Sequence, residues 1–209
     1  MLAALAKYKL IPTLDTKELT ENEALKCCEA LVKGGLPLLE IPFRRHSDSL
    51  ALKAIAKELP DFYLGTSGII NTEQLMRAVE CNVKFASAPG VCPETMALAA
   101  KQAVAFIPGV LTPSDIQAVL LNGFADFQFF PAEVSGGADY LKTILEPFEH
   151  LPLDIFPKGG IKLKQLEDYL EIPHVTAVAF DQIALPKYIK KKQWDKITEA
   201  AKKALDAIN

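Results

Sequence analysis

Three charged side chains stand at the ends of apolar runs, where they could do chemistry together. In LPLLEIPFRR, Glu40 and Arg44 are four residues apart and share one face of a strand, because side chains alternate along a strand. A guanidinium can bind a substrate carboxylate, and a carboxylate can transfer protons. In DIFPKGGI, Lys158 follows Phe156 and Pro157, and burial there favours a neutral amine. A neutral amine attacks ketones to form a Schiff base.

Each charge also has a simpler interpretation. Glu40 and Arg44 could form a structural ion pair at the rim of a sheet. Lys158 stands beside Gly159 and Gly160, so it could hold a phosphate by charge, or extend into solvent with no role. The spacing alone leaves these alternatives open.

A fourth polar residue, Gln128, lies in the apolar run DFQFFPAE. Alternation places its side chain on the same face as those of Asp126 and Phe130. An amide in that position would supply hydrogen bonds inside the fold.

The elements that must position these residues alternate regularly along the chain. Eight short β-branched or aromatic runs are separated by helical patterns, among them those near 21–33, 47–58, 72–81 and 193–207. The runs are 10–14, 36–43, 62–68, 85–90, 105–110, 126–133, 153–160 and 175–181. Runs that are apolar on both faces are typical of buried parallel strands.

Helix starts are indicated by capping residues and prolines. Thr20 precedes Glu23 by three residues, Thr72 stands before Glu73, and prolines 93 and 113 fit first-turn positions. Eight β-then-α units without a dividing linker predict one small (β/α)8 TIM barrel over residues 1–209. A doubly wound open sheet is the alternative, but it usually begins with a glycine-rich turn, whereas here DTKEL follows LIPTL. In a barrel, functional residues lie at the carboxyl ends of the strands.

Composition excludes several classes of protein. The 209 residues are 50% hydrophobic, with 23 basic and 26 acidic side chains and a net charge of -3, which argues against nucleic acid or an anionic membrane as partner. No segment approaches the roughly 20 apolar residues of a membrane span, and MLAALAKYKL is a poor signal peptide. The four cysteines form no CxxC pair, and the three histidines lack metal-ligand spacing. We therefore predict a reduced, cytoplasmic, metal-free protein.

Several motifs resemble one enzyme family. EIPFRR, FQFFPAEVSGG, FPKGGI, APG (88–90) and IPG (107–109) are similar, in order and over residues 8–186, to the 2-keto-3-deoxy-6-phosphogluconate / 4-hydroxy-2-oxoglutarate aldolases. The resemblance implies a small (β/α)8 barrel, usually homotrimeric, that acts on keto acids through a lysine Schiff base without metal or organic cofactor. It also implies that Glu40 transfers protons and that Arg44 binds the carboxylate of the keto acid.

Two departures from the family look like one exchange. The family reads KFFPAE on the sixth strand, with the Schiff-base lysine first, whereas this chain has Gln128 there. The family reads FPTGGI on the seventh strand, whereas this chain has Lys158 in place of the threonine. Adjacent parallel strands are only about 4.8 Å apart, so an amine from either strand can approach one carbonyl carbon. We therefore predict that Lys158 is a relocated Schiff-base nucleophile.

Two further departures affect substrate binding. The family's GAGT on the third strand reads GTSG (65–68) here, so Thr66 or Ser67 would have to replace the threonine that helps to hold pyruvate. The glycine-glycine-serine phosphate cradle of the eighth strand reads Phe180-Asp181-Gln182, although Gly159 and Gly160 remain on the seventh. A bulky ring and a carboxylate oppose phosphate. We predict a short substrate, or one with a group that donates a hydrogen bond to Asp181.

Three functions follow from these residues. The leading hypothesis is an aldolase that cleaves a 2-keto-4-hydroxy acid to pyruvate and an aldehyde, with Lys158 as nucleophile, Glu40 as acid and base, and Gln128 as a hydrogen-bond partner. The rival is an inactive or repurposed keto-acid-binding barrel of the same family, in which Lys158 only holds an anion. A third is an isomerase or another lyase that uses Glu40 as a base without an imine.

Overall fold

The computed structural model describes residues 2–102 and 104–208, so the predicted domain limits, residues 1 and 209, lie outside the described residues. The strands are β1 (Leu10–Pro12), β2 (Leu38–Pro42), β3 (Tyr63–Ser67), β4 (Phe85–Ser87), β5 (Ala105–Ile107), β6 (Gly109–Val110), β7 (Asp126–Phe129), β8 (Asp154–Ile155) and β9 (Val178–Phe180). The helices are α1 (Ala3–Tyr8), α2 (Glu21–Lys33), α3 (His46–Glu58), α4 (Thr72–Val79), α5 (Pro93–Gln102), α6 (Pro113–Leu121), α7 (Gly137–Leu145), α8 (Leu166–Leu170), α9 (Pro186–Lys190) and α10 (Trp194–Asp206).

The strands close into a ring of parallel neighbours. β1 pairs with β9. The strands β2, β3, β4 and β5 pair side by side in that order, and so do β6, β7 and β8. The bridge between Thr13 and Glu40 connects β1 with β2, and the bridge between Lys158 and Ala179 connects β8 with β9. Pro108 separates β5 from β6, so these two segments form the fifth strand, and β7, β8 and β9 are the sixth, seventh and eighth. The predicted (β/α)8 barrel is confirmed, and the open doubly wound sheet is wrong.

Most of the predicted helix starts are confirmed. Thr20 and Glu23 form a capping box at the start of α2, and α5 and α6 begin at Pro93 and Pro113. The signal at Thr72 was misplaced by one residue. Asn71 caps α4, since its side chain accepts a 2.8 Å hydrogen bond from the Gln74 N–H, and Thr72 is the first helical residue.

Three of the four cysteines lie in the core. Cys27, Cys28 and Cys81 are buried free thiols, and burial raises the pKa of Cys27 to about 12. These thiols are protonated at neutral pH and therefore unreactive. Within residues 2–102 and 104–208, no helix is long and apolar enough to cross a membrane.

Candidate active site

A cavity of about 670 Å³ opens among the carboxyl ends of the strands. Its charged lining residues are Arg44, Lys158 and Asp181. Hydroxyl and amide groups come from Thr13, Ser67, Gln74 and Gln128. The cavity therefore combines two cations, one carboxylate and several neutral hydrogen-bonding groups in the size range of small-molecule sites.

Lys158 reaches into this cavity and forms an ion pair with Glu40. The Lys158 ammonium contacts Glu40 Oε1, and the Thr13 hydroxyl donates a 3.0 Å hydrogen bond to the same oxygen. The Glu40 side chain is only 2% exposed, and that of Lys158 is 16% exposed. The sequence indicated apolar neighbours for the amine, and in the structure the amine also has a carboxylate partner that could take its proton.

Arg44 follows β2 and lies at the exposed mouth of the cavity. Within the described part of the chain, no carboxylate lies within ion-pair distance of its guanidinium, so the predicted structural pair of Glu40 with Arg44 is wrong. The unpaired cation is available for an anionic ligand. Its backbone is fixed because the Arg44 N–H donates a 2.8 Å hydrogen bond to the carboxylate of Asp48.

Gln128 also lines the cavity, and it is 4% exposed. Its Nε2 donates a 2.5 Å hydrogen bond to the carbonyl oxygen of Ala88, at the end of β4. The amide is therefore fixed between the fourth and sixth strands, and its Oε1 is directed away from that bond.

Of the two residues expected to replace the family's pyruvate-binding threonine, Ser67 lines the cavity, whereas Thr66 does not. Thr66 is completely buried, and its hydroxyl donates a 2.7 Å hydrogen bond to the carbonyl oxygen of Ile41. The two residues point to opposite faces because they are consecutive in β3. Thr66 is therefore corrected from a candidate ligand residue to a structural one.

The two glycines after Lys158 form a turn against the end of the sixth strand. Gly159 lines the cavity with φ +111°, and a Cβ there would lie 3.2 Å from the Ala132 backbone nitrogen. Gly160, with φ +77°, packs beside the Glu133 side chain and not against the cavity. Glycine adopts such φ values without strain. Because glycine also has no side chain, the backbone of this turn can pack closely against the end of the sixth strand.

Asp181 lines the cavity just beyond β9 and is exposed. Within residues 2–102 and 104–208, its carboxylate has neither an ion-pair nor a hydrogen-bond partner. An uncompensated negative charge in the cavity repels anionic groups and accepts hydrogen bonds from hydroxyls.

Two important residues were not predicted from the sequence. Thr13 is the polar residue at the end of LIPTL, so the rule that selected Glu40 and Lys158 could have found it. Glu133 ends the run DFQFFPAE, and its carboxylate accepts hydrogen bonds from Gln165 and, at 2.6 Å, from Tyr169. Burial and the hydrogen bond to Glu133 raise the pKa of Tyr169. No sequence signal linked residues so distant in the chain.

The arrangement suits covalent chemistry on a carbonyl compound. The Lys158 amine and the Arg44 guanidinium line one cavity, and the Glu40 carboxylate contacts the amine. These are the groups needed to form an imine of a keto acid and to move protons to and from it. The described residues contain no group of three or more histidine, cysteine or acidic side chains that could hold a metal ion.

Comparison with known proteins identifies relatives over nearly the whole chain. The family model described as KDPG and KHG aldolase matches residues 2–200. The 2-dehydro-3-deoxy-phosphogluconate aldolase of Pseudoalteromonas atlantica is 32% identical over 94% of this chain and 89% of that protein. The KHG/KDPG aldolase of Escherichia coli K12 is 30% identical over 94% and 91%.

A solved structure is equally similar. The KDPG aldolase of Legionella pneumophila, with pyruvate captured at low pH as a covalent carbinolamine intermediate, superposes with a TM-score of 0.90. It is 33% identical to this chain and covers 96% of this chain and 95% of its own.

Proposed function

This chain belongs to the KDPG and KHG aldolase family, and we propose that it cleaves a 2-keto-4-hydroxy acid to pyruvate and an aldehyde through a Schiff base on Lys158. The observation that carries this proposal is the contact between the Lys158 amine and the Glu40 carboxylate at a cavity that Lys158 lines. Gln128 has no basic amine to form an imine, so the nucleophile must come from elsewhere in the cavity.

The reaction begins when Glu40 accepts a proton from the Lys158 ammonium. The neutral amine attacks C2 of the keto acid to give a carbinolamine. Glu40 then donates its proton to the carbinolamine hydroxyl, which leaves as water and gives an iminium. Glu40, now unprotonated, accepts the 4-hydroxyl proton as the C3–C4 bond breaks. The aldehyde leaves, and the bonding electrons enter the iminium as an enamine. Protonation of the enamine at C3 and hydrolysis release pyruvate and the free amine, so no metal or organic cofactor is needed.

The remaining side chains orient the substrate. Arg44 binds the carboxylate next to the reacting ketone, since a guanidinium can make two parallel hydrogen bonds to it. Gln128 and Ser67 supply hydrogen bonds to the carbinolamine hydroxyl and the keto-acid end. Their positions around one cavity support these roles.

Borohydride trapping tests the nucleophile. With pyruvate and borohydride, the wild-type protein should gain one reduced pyruvate adduct, and peptide mapping should locate it on Lys158. The Lys158→Met variant should remain unmodified. Lys164→Met is the matched control, because Lys164 is an exposed lysine nearby in sequence, and it should react like the wild type. An unmodified wild-type protein, or an adduct on another lysine, would refute the proposal.

The distal part of the cavity supports a non-phosphorylated substrate. This proposal is supported by Asp181 and Gly159, which line the same cavity, because the resemblance implies a glycine-rich phosphate cradle at the position of this carboxylate. A phosphate would be repelled, whereas a hydroxyl could donate a hydrogen bond to Asp181. In a side-by-side cleavage assay, kcat/KM should be higher for 4-hydroxy-2-oxoglutarate than for 2-keto-3-deoxy-6-phosphogluconate, and Asp181→Ser should narrow the difference by about tenfold. A wild-type preference for the phosphorylated substrate would contradict this.

A keto-acid-binding barrel without turnover is the second candidate. The observation that favours it is Gln128, which occupies the usual position of the nucleophile and is fixed by the Ala88 carbonyl. This candidate predicts that pyruvate binds, with a change in the unfolding midpoint, but that borohydride traps nothing. A trapped Lys158 adduct would exclude it.

We also retain the proposals of a homotrimer and of a reduced, cytoplasmic location. The family resemblance supports the trimer, and free thiols are typical of reducing compartments. Light scattering should give three times the mass of the chain. A monomer at micromolar concentration would refute the trimer.

A further inference from the structure

We propose that the two oxygens of Glu40 have separate roles, and that Thr13 is the positioning residue that separates them. Oε1 is the fixed oxygen, held by the Thr13 hydroxyl, and Oε2 is the oxygen that exchanges protons with the substrate. This inference rests on the proposed Schiff-base function and adds a residue that this function did not use.

The hydrogen bonds of Glu40 are one-sided. Oε1 accepts from both Thr13 Oγ1, at 3.0 Å, and the Lys158 ammonium. Oε2 accepts no hydrogen bond from the described residues. Oε2 is nevertheless not completely shielded from solvent. Among the described residues, the completely buried side-chain oxygen or nitrogen atom without a hydrogen-bond partner is Ser87 Oγ and not Glu40 Oε2. Of the two carboxylate oxygens, Oε2 is therefore the one that is free to take a proton, and the Glu40 side chain is held between Thr13 and Lys158, which both line the cavity.

Thr13 is well placed to hold the carboxylate still. Its backbone N–H donates to the Phe180 carbonyl at 3.3 Å, and Thr13 is bridged to Glu40 itself. The Leu14 N–H donates to the Glu40 carbonyl at 3.0 Å, immediately after this position. Hydrogen bonds to the strands on both sides therefore hold the backbone that carries the Thr13 hydroxyl.

The hydroxyl becomes more important once the imine has formed. The Lys158 ammonium has three N–H donors, but an iminium nitrogen keeps at most one and shares its charge with C2 of the substrate. The contact of Lys158 with Oε1 therefore weakens during the steps in which Glu40 must move protons to and from the substrate. Thr13 is not consumed, so its hydrogen bond alone continues to orient the carboxylate.

The test separates imine formation from proton transfer. Wild type, Thr13→Val and Thr13→Ser are incubated with pyruvate in D₂O, and NMR follows deuterium entering the C3 methyl group. Borohydride trapping at equilibrium measures the imine in the same samples. Thr13→Val removes the hydroxyl at nearly constant volume, and Thr13→Ser restores it.

We expect the trapped fraction to agree within about twofold among the three proteins. The deuterium exchange rate should fall about tenfold in Thr13→Val, as for the loss of a hydrogen bond to a charged group, and should stay within about threefold in Thr13→Ser. Thr13→Ala should reproduce Thr13→Val, which keeps the test valid if the valine variant does not fold.

Three outcomes would overturn the assignment. Equal exchange rates in Thr13→Val and wild type would show that the hydroxyl does not position Glu40. Equally slow exchange in Thr13→Ser, or loss of trapping in Thr13→Val, would indicate a packing role instead. If the wild type neither exchanges nor traps pyruvate, the proposed function itself fails, and this inference fails with it.

Discussion

At the scale of single residues, the central feature is an amine on the seventh barrel strand and an amide on the sixth. Lys158 and Gln128 come from neighbouring strands, and both line one cavity. The Lys158 amine contacts Glu40, whereas the Gln128 amide is held by Ala88. Both positions therefore direct a side chain toward the same space, and the chemistry depends on which of them carries the amine.

Moving the amine back should preserve imine formation. We expect Lys158→Met to abolish borohydride trapping of pyruvate, and the double variant Gln128→Lys/Lys158→Met to recover part of it, with the adduct at position 128. The reason is that adjacent strands are about 4.8 Å apart, within the reach of a lysine side chain. Mass spectrometry of trapped peptides measures the result. A folded double variant that traps nothing would show that the cavity is adapted to an amine from the seventh strand only.

Partial burial of the charged Asp126 carboxylate destabilises the folded protein at neutral pH. Desolvation, followed by the nearby charge of Asp154, raises the pKa of Asp126. Because the folded pKa is raised, the folded state binds the proton more tightly than the unfolded state. The group's stabilising contribution is therefore present below the unfolded pKa, about 4, and is lost as the pH rises through the folded pKa.

Asp126→Asn should remove this penalty. We expect the free energy of unfolding at pH 7 to increase by less than about 1 kcal/mol, because solvent screens this half-exposed carboxyl. The gain should disappear near pH 3, where the carboxyl is protonated in both states. Urea denaturation at the two pH values measures the effect. Asp61→Asn, at an exposed position, is the control and should change neither value. A gain that is equal at both pH values would contradict the electrostatic explanation.

At the scale of helices and strands, the features that the sequence predicted correctly are those set by neighbouring residues, such as helix starts. The capping box of Thr20 with Glu23 and the first-turn prolines 93 and 113 act within a few residues, so they are readable from the chain. Thr72 was misassigned because Asn71 competes for the same cap. The fifth run was expected as one strand, but Pro108 divides it, since proline lacks the N–H that a ladder requires.

The start of α3 connects a helix cap with the site. Asp48 is fully buried and accepts hydrogen bonds from the backbone N–H groups of Arg44, at 2.8 Å, and Arg45, at 2.7 Å. It also accepts from the Thr16 hydroxyl after β1. Asp115 makes the equivalent bonds at the start of α6, to the N–H groups of Leu111, at 2.9 Å, and Thr112, at 2.8 Å. The two carboxylates differ in two ways: Asp48 holds the backbone of a charged residue of the cavity, and it also forms a 3.1 Å ion pair with Arg45.

Asp48→Asn and Asp115→Asn form a matched pair. Asp115→Asn should lower the free energy of unfolding by about 1–3 kcal/mol, because an amide replaces one acceptor by a donor at a cap. Asp48→Asn should lower it more, because it also loses the buried ion pair with Arg45. Only Asp48→Asn should also raise the KM for the keto acid several-fold, because the Arg44 backbone loses its support. Urea denaturation and steady-state kinetics measure the two effects. An equal change of KM in both variants would mean that Asp48 has no specific connection to Arg44.

At the scale of the whole molecule, barrel closure brings the site together. Thr13, Glu40 and Lys158 come from the first, second and seventh strands, and Glu40 and Lys158 are 118 residues apart. Periodicity predicts strands but not their register, so it could not decide whether Glu40 pairs with Arg44 or with Lys158. The eight β-then-α units predicted the barrel, and the usual location of functional residues in barrels placed both residues at its carboxyl end, but their ion pair is seen only in the structure.

The ion pair should stabilise the closed barrel as well as serve chemistry. We expect Lys158→Met to lower the free energy of unfolding by about 2–4 kcal/mol, because it leaves a Glu40 carboxylate that is only 2% exposed without its cation. Glu40→Gln should cost less, since the 16% exposed amine of Lys158 can be partly hydrated. The double variant should be more stable than Lys158→Met, with a coupling energy of about 1–3 kcal/mol.

Urea denaturation of the four proteins in this cycle measures the coupling. Lys190→Met is the control, because Lys190 forms an exposed ion pair with Glu18, and its loss should change stability by less than about 0.5 kcal/mol. A coupling energy near zero would mean that the contact between Lys158 and Glu40 adds nothing to closure of the barrel. The two residues would then contribute to catalysis without linking the second strand to the seventh.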